Sequence, residues 1–154
     1  MNIDYLADHP EFISTVARWH HEEWSYLRPG DTVEARTIRL RAESGRGEIP
    51  TVFIACSNGT PLGSAMLIAH DMDTRMDLSP WLAGVFVAPE HRRRGIGRAL
   101  VRRVVECAGE LGVGRLYLFT PSAEQMYLRL GWSSFERTNY RGTDVLVMSR
   151  EVPR

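Results

Sequence analysis

At 154 residues the chain has the length of one domain, 1–154, built around a single core. Apolar residues at 44 % and charged residues at 25 % argue against disordered, collagen-like and fibrous classes, and 19 basic residues against 19 acids argue against bulk attraction to nucleic acid or an anionic membrane. The zero sum conceals a division: every basic residue is arginine, residues 1–90 carry a net charge of −6, and residues 91–154 carry +6.

Asn2 to Leu6 reads as a short strand, and Asp8 with Pro10 just inside as the start of a helix reaching Trp24, with Phe12, Val16, Trp19 and Glu23 along one stripe. Arg28-Pro29-Gly30-Asp31 ends that element. A second helix runs from Thr32 to Glu43. Thr51 to Cys56 and Leu62 to Ala69 form a predicted hairpin around Ser57-Asn58-Gly59-Thr60-Pro61. A polar excursion from His70 to Arg75 precedes a central strand, Trp81 to Val87, stopped by Pro89. From Gly97 to Leu111 a helical stripe of Leu100, Val104, Ala108 and Leu111 leaves Arg98, Arg102, Arg103, Glu106 and Glu110 facing out, with Arg102 and Glu106 spaced as an ion pair. A strand over Arg115–Phe119, a short helix from a Ser122 cap to Leu130, and a final hairpin of Ser133–Tyr140 and Val145–Ser149 complete the chain. The order β, α, α, β, β, β, α, β, α, β, β implies an α/β (α+β) fold, a mixed sheet with helices on both faces.

Cys56 and Cys107 lie in apolar surroundings with no CxxC and no histidine at ligand spacing, so two buried thiols are expected, with no disulfide and no metal. His20-His21-Glu22-Glu23 does not have HExxH spacing. The N-terminal segment is acidic and the longest apolar run, Trp81–Ala88, is far below a bilayer span. A cytoplasmic protein with no membrane partner is expected.

His91-Arg92-Arg93-Arg94-Gly95-Ile96-Gly97-Arg98 lies between a buried strand and the first turn of a helix, where unpaired N–H groups and the helix dipole favour an anion. Glycines let a backbone curl around an oxyanion, and six arginines between residues 92 and 103 supply charge for phosphates. A Walker loop is excluded because the chain contains no lysine. A dinucleotide fingerprint fails as well: Leu100 stands where a small residue is needed, and Arg115–Phe119 offer no acid.

Arg92-x-x-Gly95-x-Gly97, after a strand and opening a helix, resembles the pyrophosphate-binding signature of the GCN5-related N-acetyltransferases, and the stretch Ala123 to Trp132, with Tyr127 and Gly131-Trp132, resembles that family's second signature. The element order is similar over essentially the whole chain. The resemblance implies acetyl-coenzyme A as co-substrate, with amides from Arg93 to Arg98, including Arg94, Gly95, Ile96 and Gly97, around the pyrophosphate. It also implies that Val85, Phe86 and Val87 pair with the pantetheine arm, that an amide there meets the oxyanion, and that Tyr127 sits beside the sulfur as general acid. Glu22, Glu23, Trp24, Asp71, Asp73 and Asp77 fall where the family places its acceptor groove. Thr120-Pro121-Ser122 departs from the family's frequent Asn, leaving Thr120 or Ser122 to replace its contact with the coenzyme.

The implied activity is direct transfer of acetyl to a primary amine of a small molecule, without a metal and with a homodimer as a possible assembly. The alternatives are a peptide or protein N-terminal amine as acceptor, a non-catalytic acyl-coenzyme A sensor, or a nucleic-acid module using the arginines. Read without the resemblance, Tyr127 is an ordinary core aromatic and Arg102 and Arg103 a solvated helix face. Cys107 has no neighbouring base that would make it an acyl carrier.

Overall fold

A computed structural model of the chain describes residues 1–153. Its elements are β1 (Asn2–Tyr5), α1 (Ile13–Trp24), α2 (Val33–Glu43), β2 (Thr51–Ser57), β3 (Thr60–Ile68), β4 (Trp81–Val87), α3 (Ile96–Glu110), β5 (Arg115–Thr120), α4 (Glu124–Arg129), β6 (Ser133–Tyr140) and β7 (Thr143–Glu151). The seven strands form one sheet in the order β1-β2-β3-β4-β5-β7-β6. Every neighbouring pair is antiparallel except β4 with β5, which is parallel.

Strand alternation divides the core in two. Val52, Ile54, Met66, Ala83, Val145 and Val147 face α1 and α2, meeting Ile13, Val16, Ala17 and Leu40. Phe53, Ala65, Leu67, Leu82, Leu118 and Leu146 face α3 and α4, meeting Leu100, Val104, Ala108 and Tyr127. This is the mixed sheet with helices on both faces that the element order implies.

Local departures from expectation have local causes. The chain enters α1 through two 3₁₀ turns, Leu6–Asp8 and Pro10–Phe12, because His9 (φ −132°) interrupts helical geometry before Pro10. Asp8 therefore caps no α-helix and pairs with Arg46 at 2.7 Å. Glu23 leaves the buried stripe of α1, which runs through Ile13, Val16, Ala17 and His20. The buried stripe of α3 runs through Leu100, Val104, Cys107 and Ala108, and Leu111, past the last turn, is 43 % exposed. Arg103 reaches Glu110 at 3.3 Å and lies over the Phe53 ring at 4.8 Å, so the ion pair on this helix is Arg103–Glu110 and not Arg102–Glu106. Both hairpins close in two residues, Asn58-Gly59 and Arg141-Gly142, with positive φ at all four positions as a type I′ turn requires. Among the described residues no helix is long and apolar enough to cross a membrane.

Candidate active site

The site begins where the sheet opens. β4 and β5 are in register only at Trp81↔Tyr117, and beyond that point the two parallel strands diverge. The first three residues of β4 are buried and the last four half-exposed. The bend centres on Gly84, whose φ of +59° lies in the left-handed region, and the β3–β4 register skips Gly84 and Val85. The Ala88 N–H bonds Leu62 O at 2.9 Å, so strand alternation leaves the backbone of Val87 and Val85 facing away from β3, into the opening. Unpaired amides along one strand edge suit an extended amide-bearing ligand. Val85 and Val87 pack toward α3, whereas Phe86 faces α1, with its ring 5.4 Å from Trp19 and 6.4 Å from Trp24.

The segment after β4 forms an anion cradle. Arg93 (φ +66°) and Gly95 (φ +78°) alternate with right-handed or extended neighbours, a backbone that curls N–H groups inward. Among the described residues, no protein group accepts from the N–H groups of Arg93 through Arg98; the first helical bond is Ala99 N–H to Gly95 O at 3.1 Å. Arg93, Arg94 and Arg98 are exposed beside these donors. Arg92 has a different duty: its Nε donates to Val87 O at 2.8 Å and its guanidinium lies 5.5 Å from the Phe86 ring centre, tying the loop to the strand. A Cβ at Gly95 would meet nothing within 4 Å, and one at Gly97 would make only ordinary contact with Val87, so the space kept clear lies outside the protein.

α4 delivers Tyr127. No side chain caps its first turn, Ser122 included; Thr120 Oγ1 accepts from Ala123 N–H at 2.9 Å and Ser122 N–H at 3.3 Å, closing the turn that leads into the helix. The difference arises because the N-cap position is Ala123, one residue later than the sequence pattern implies, placing Ser122 in the connecting turn. With Thr120 so engaged, Ser122 is the exposed hydroxyl at the cavity wall. Tyr127 is 7 % exposed, and burial pushes its phenol up to about 12, so it is a proton donor throughout the neutral range.

A cavity of about 430 Å³ runs through the opening of the sheet. Val85, Tyr127, Ser122, Glu23, Trp24 and Asp71 all line it. Asp71 is half-buried; burial pushes its carboxyl up to about 7, Glu43 adding to the rise while Arg36 and Arg28 oppose it. Asp73 does not line the cavity. Its carboxylate is engaged by Arg141, which does, so Asp73 anchors a wall residue and is not itself a wall. Asp77 pairs with Arg75 at 3.0 Å, outside the lining.

The lining also holds arginines that a charge count by halves could not place. Arg36 pairs with Glu43 at 2.9 Å and Arg39 with Asp31 at 2.7 Å. Glu23 and Asp71 have no ion-pair partner among the described residues. His20 is buried and hydrogen-bonded to Arg36 and Ser64, with no metal-ligand geometry. The cluster Asp4, His9 and Cys56 brings ligand atoms within 4.8 Å, but the His9 and Cys56 groups both donate to the Asp4 carboxylate and none of the three lines the cavity. Cys107 is buried with its thiol pushed up by desolvation, which removes it as a nucleophile.

Residues 13–132 match the profile of the Acetyltransferase (GNAT) family. The chain belongs to this family. Among curated relatives of this GNAT protein, the aminoglycoside N(6')-acetyltransferases type 1 of Salmonella typhimurium and Salmonella enteritidis are 28 % identical over 136 residues, 81 % of this chain and 93 % of theirs. Its fold matches an aminoglycoside 6'-N-acetyltransferase complexed with coenzyme A with a TM-score of 0.78 at 15 % identity, covering 100 % of this chain and 99 % of that one. The ribosomal-protein-alanine N-acetyltransferase of Brucella melitensis follows with 0.74 at 18 % identity, covering 98 % and 99 %. This GNAT chain is an acetyl-coenzyme A-dependent N-acetyltransferase, and the open β4 edge and the free N–H groups of Arg93–Arg98 offer donors to amides and phosphates of the kind that co-substrate carries.

Proposed function

We propose that the chain transfers acetyl directly from acetyl-coenzyme A to a small cationic amine within one ternary complex. The observation that carries this reading is one cavity whose walls bring together Val85, Tyr127 and Asp71. Val85 N–H receives the oxygen of the thioester carbonyl as charge builds on it. Tyr127, still protonated, donates to the departing sulfur, whose thiol pKa is about 8.5. Asp71, poised near neutrality, takes the proton that the ammonium must lose before it can attack. Ser122 contacts the coenzyme where the family's Asn would.

Glu23 and Asp71 without partners, and the aminoglycoside acetyltransferases among the relatives, support an amino sugar or comparable polyamine as acceptor. The paired arginines of the wall set hydrogen-bond donors for the hydroxyls such a molecule carries. A cytoplasmic location follows from the use of acetyl-coenzyme A. The edge strand β6, with Phe135 46 % exposed, supports a homodimer. The test of the acceptor class is thiol release from acetyl-coenzyme A over amino sugars, polyamines, amino acids and peptides. Turnover confined to peptide N-termini would refute the small-amine reading.

A further inference from the structure

Gly84 and Val85 are the residues the β3–β4 register skips, so no ladder partner fixes the peptide between them. Something else must. The Gly84 carbonyl oxygen accepts from Ser64 Oγ at 2.8 Å, Ser64 Oγ lies 2.9 Å from His20 Nε2, and His20 Nδ1 lies 2.9 Å from Arg36 Nη2. Arg36 in turn donates to Glu43 at 2.9 Å. The proton positions along this chain are dictated by chemistry. A guanidinium has only donors, so His20 Nδ1 must accept and Nε2 must carry the proton. Ser64 Oγ accepts that proton's hydrogen bond and is left with its own hydrogen for Gly84 O.

His20 stays neutral: burial pushes its pKa well below 6.5, and Arg36 pushes the same way. Ser64 is fully buried and His20 is 3 % exposed, so water does not compete for either group. Close packing holds the same spot, since a Cβ on Gly84 would meet Met66 Sδ at 2.6 Å and His20 Cε1 at 3.2 Å. In a trans peptide the carbonyl oxygen and the next N–H point in opposite directions. Pinning Gly84 O against Ser64, on the β3 side, therefore aims Val85 N–H at the opening.

We propose that Ser64 and His20 are positioning residues for acetyl transfer, fixing the Gly84–Val85 peptide through the Arg36–His20–Ser64–Gly84 hydrogen-bond chain so that Val85 N–H meets the thioester oxygen. This rests on the assignment of Val85 N–H as the oxyanion donor. The chain runs along the wall of the cavity, which Arg36, His20 and Gly84 all line.

Isotope-edited infrared spectroscopy of bound acetyl-coenzyme A, labelled at the thioester carbonyl and with no acceptor present, reads the donor directly. In the wild type the carbonyl band lies below its position in free acetyl-coenzyme A. Ser64→Ala returns it most of the way to the free position and lowers kcat about tenfold, with KM for acetyl-coenzyme A changed less than about twofold, because mis-aiming one oxyanion donor costs less than removing it. His20→Gln, whose amide N–H replaces Nε2–H, keeps the band low, whereas His20→Leu releases it, and this pair carries the test if Ser64→Ala does not fold. A low wild-type band that is unchanged in Ser64→Ala, or equal bands in His20→Gln and His20→Leu, would overturn the positioning role and leave Val85 standing. An unshifted wild-type band would remove the Val85 assignment itself and the proposal with it.

Discussion

Trp132 N–H donates to the carbonyl oxygen of Tyr127 at 3.0 Å while the two rings meet edge to face, centroids 6.1 Å apart. With Gly131 N–H bonded to Leu128 O at 3.2 Å and Gly131 at φ +92°, this is a Schellman closure, the backbone of Tyr127 and the ring after the glycine being joined by hydrogen bond and by packing. The Tyr-x-x-x-Gly-Trp pattern is thus a device for holding one phenol still. Its hydroxyl makes no hydrogen bond to protein among the described residues, and Tyr127 lines the cavity.

The closure makes the size of residue 132 matter more than its indole nitrogen, which is buried without a hydrogen-bond partner among the described residues. Trp132→Ala is expected to cost about 3–5 kcal/mol of stability, the usual range for deleting a buried large aromatic. Trp132→Phe keeps the ring contact and removes an unpaired donor, so its denaturation midpoint should differ little from wild type. Urea titrations of the two variants check this, and equal losses would contradict it.

Tyr127→Phe removes the proposed proton donor and nothing the fold uses. We expect kcat to fall on the order of 10²-fold with acetyl-coenzyme A affinity unchanged, in keeping with the usual contribution of one general acid. Steady-state kinetics beside a coenzyme titration separate the two quantities. An unimpaired kcat would assign the sulfur's proton to another group.

Asp71 gives a prediction with two opposite signs. As base it must be ionised, so kcat/KM should rise with pH through about 7 and Asp71→Asn should lose about 10²–10⁴-fold in activity. In stability the raised carboxyl works against the fold: wild type is favoured while the group is protonated in both states, and that stability is lost as pH rises from about 4, the unfolded value, to about 7. Asp71→Asn does not ionise, so its advantage in melting temperature over wild type should be larger at pH 8 than at pH 5. A constant gap would place Asp71 in solvent at its ordinary pKa.

Gly97→Val meets only Val87 inside the protein, at an ordinary contact distance, so the variant should fold. Its side chain would project into the cradle, and binding of acetyl-coenzyme A should be abolished. Gly95→Val should lose binding too, with added backbone strain of about 1–3 kcal/mol from φ +78°. Retained affinity in folded Gly97→Val would place the pyrophosphate elsewhere.

Much of this site could be read from the chain because its signals are local. Arg92, Gly95 and Gly97 announce a strand–loop–helix anion cradle by type and spacing, and Tyr127 with Gly131 and Trp132 announces a helix end. What escaped was non-local. Thr120 closes the turn before α4 because of where β5 ends in space, and Asp73 leaves the groove because Arg141, 68 residues later, takes its carboxylate. Ser64 and His20 give no signal at all: one is a serine in an apolar strand, the other one of two adjacent histidines on a helix, and 44 residues separate them. The charge division of the sequence also proved coarser than the site, since arginines of the acidic half, Arg28, Arg36 and Arg39, line the cavity together with Glu23 and Asp71.

In the proposed reaction one cavity hands an acetyl group from the coenzyme thioester to a small cationic amine. Its most direct measurement is thiol release from acetyl-coenzyme A by the purified protein across an amine panel, with the acetylated product identified by mass spectrometry. Stoichiometric thiol and N-acetylated product are expected with amino sugars or polyamines, rising with pH through about 7. Tight binding of acetyl-coenzyme A with no turnover on any amine or peptide would contradict that reaction.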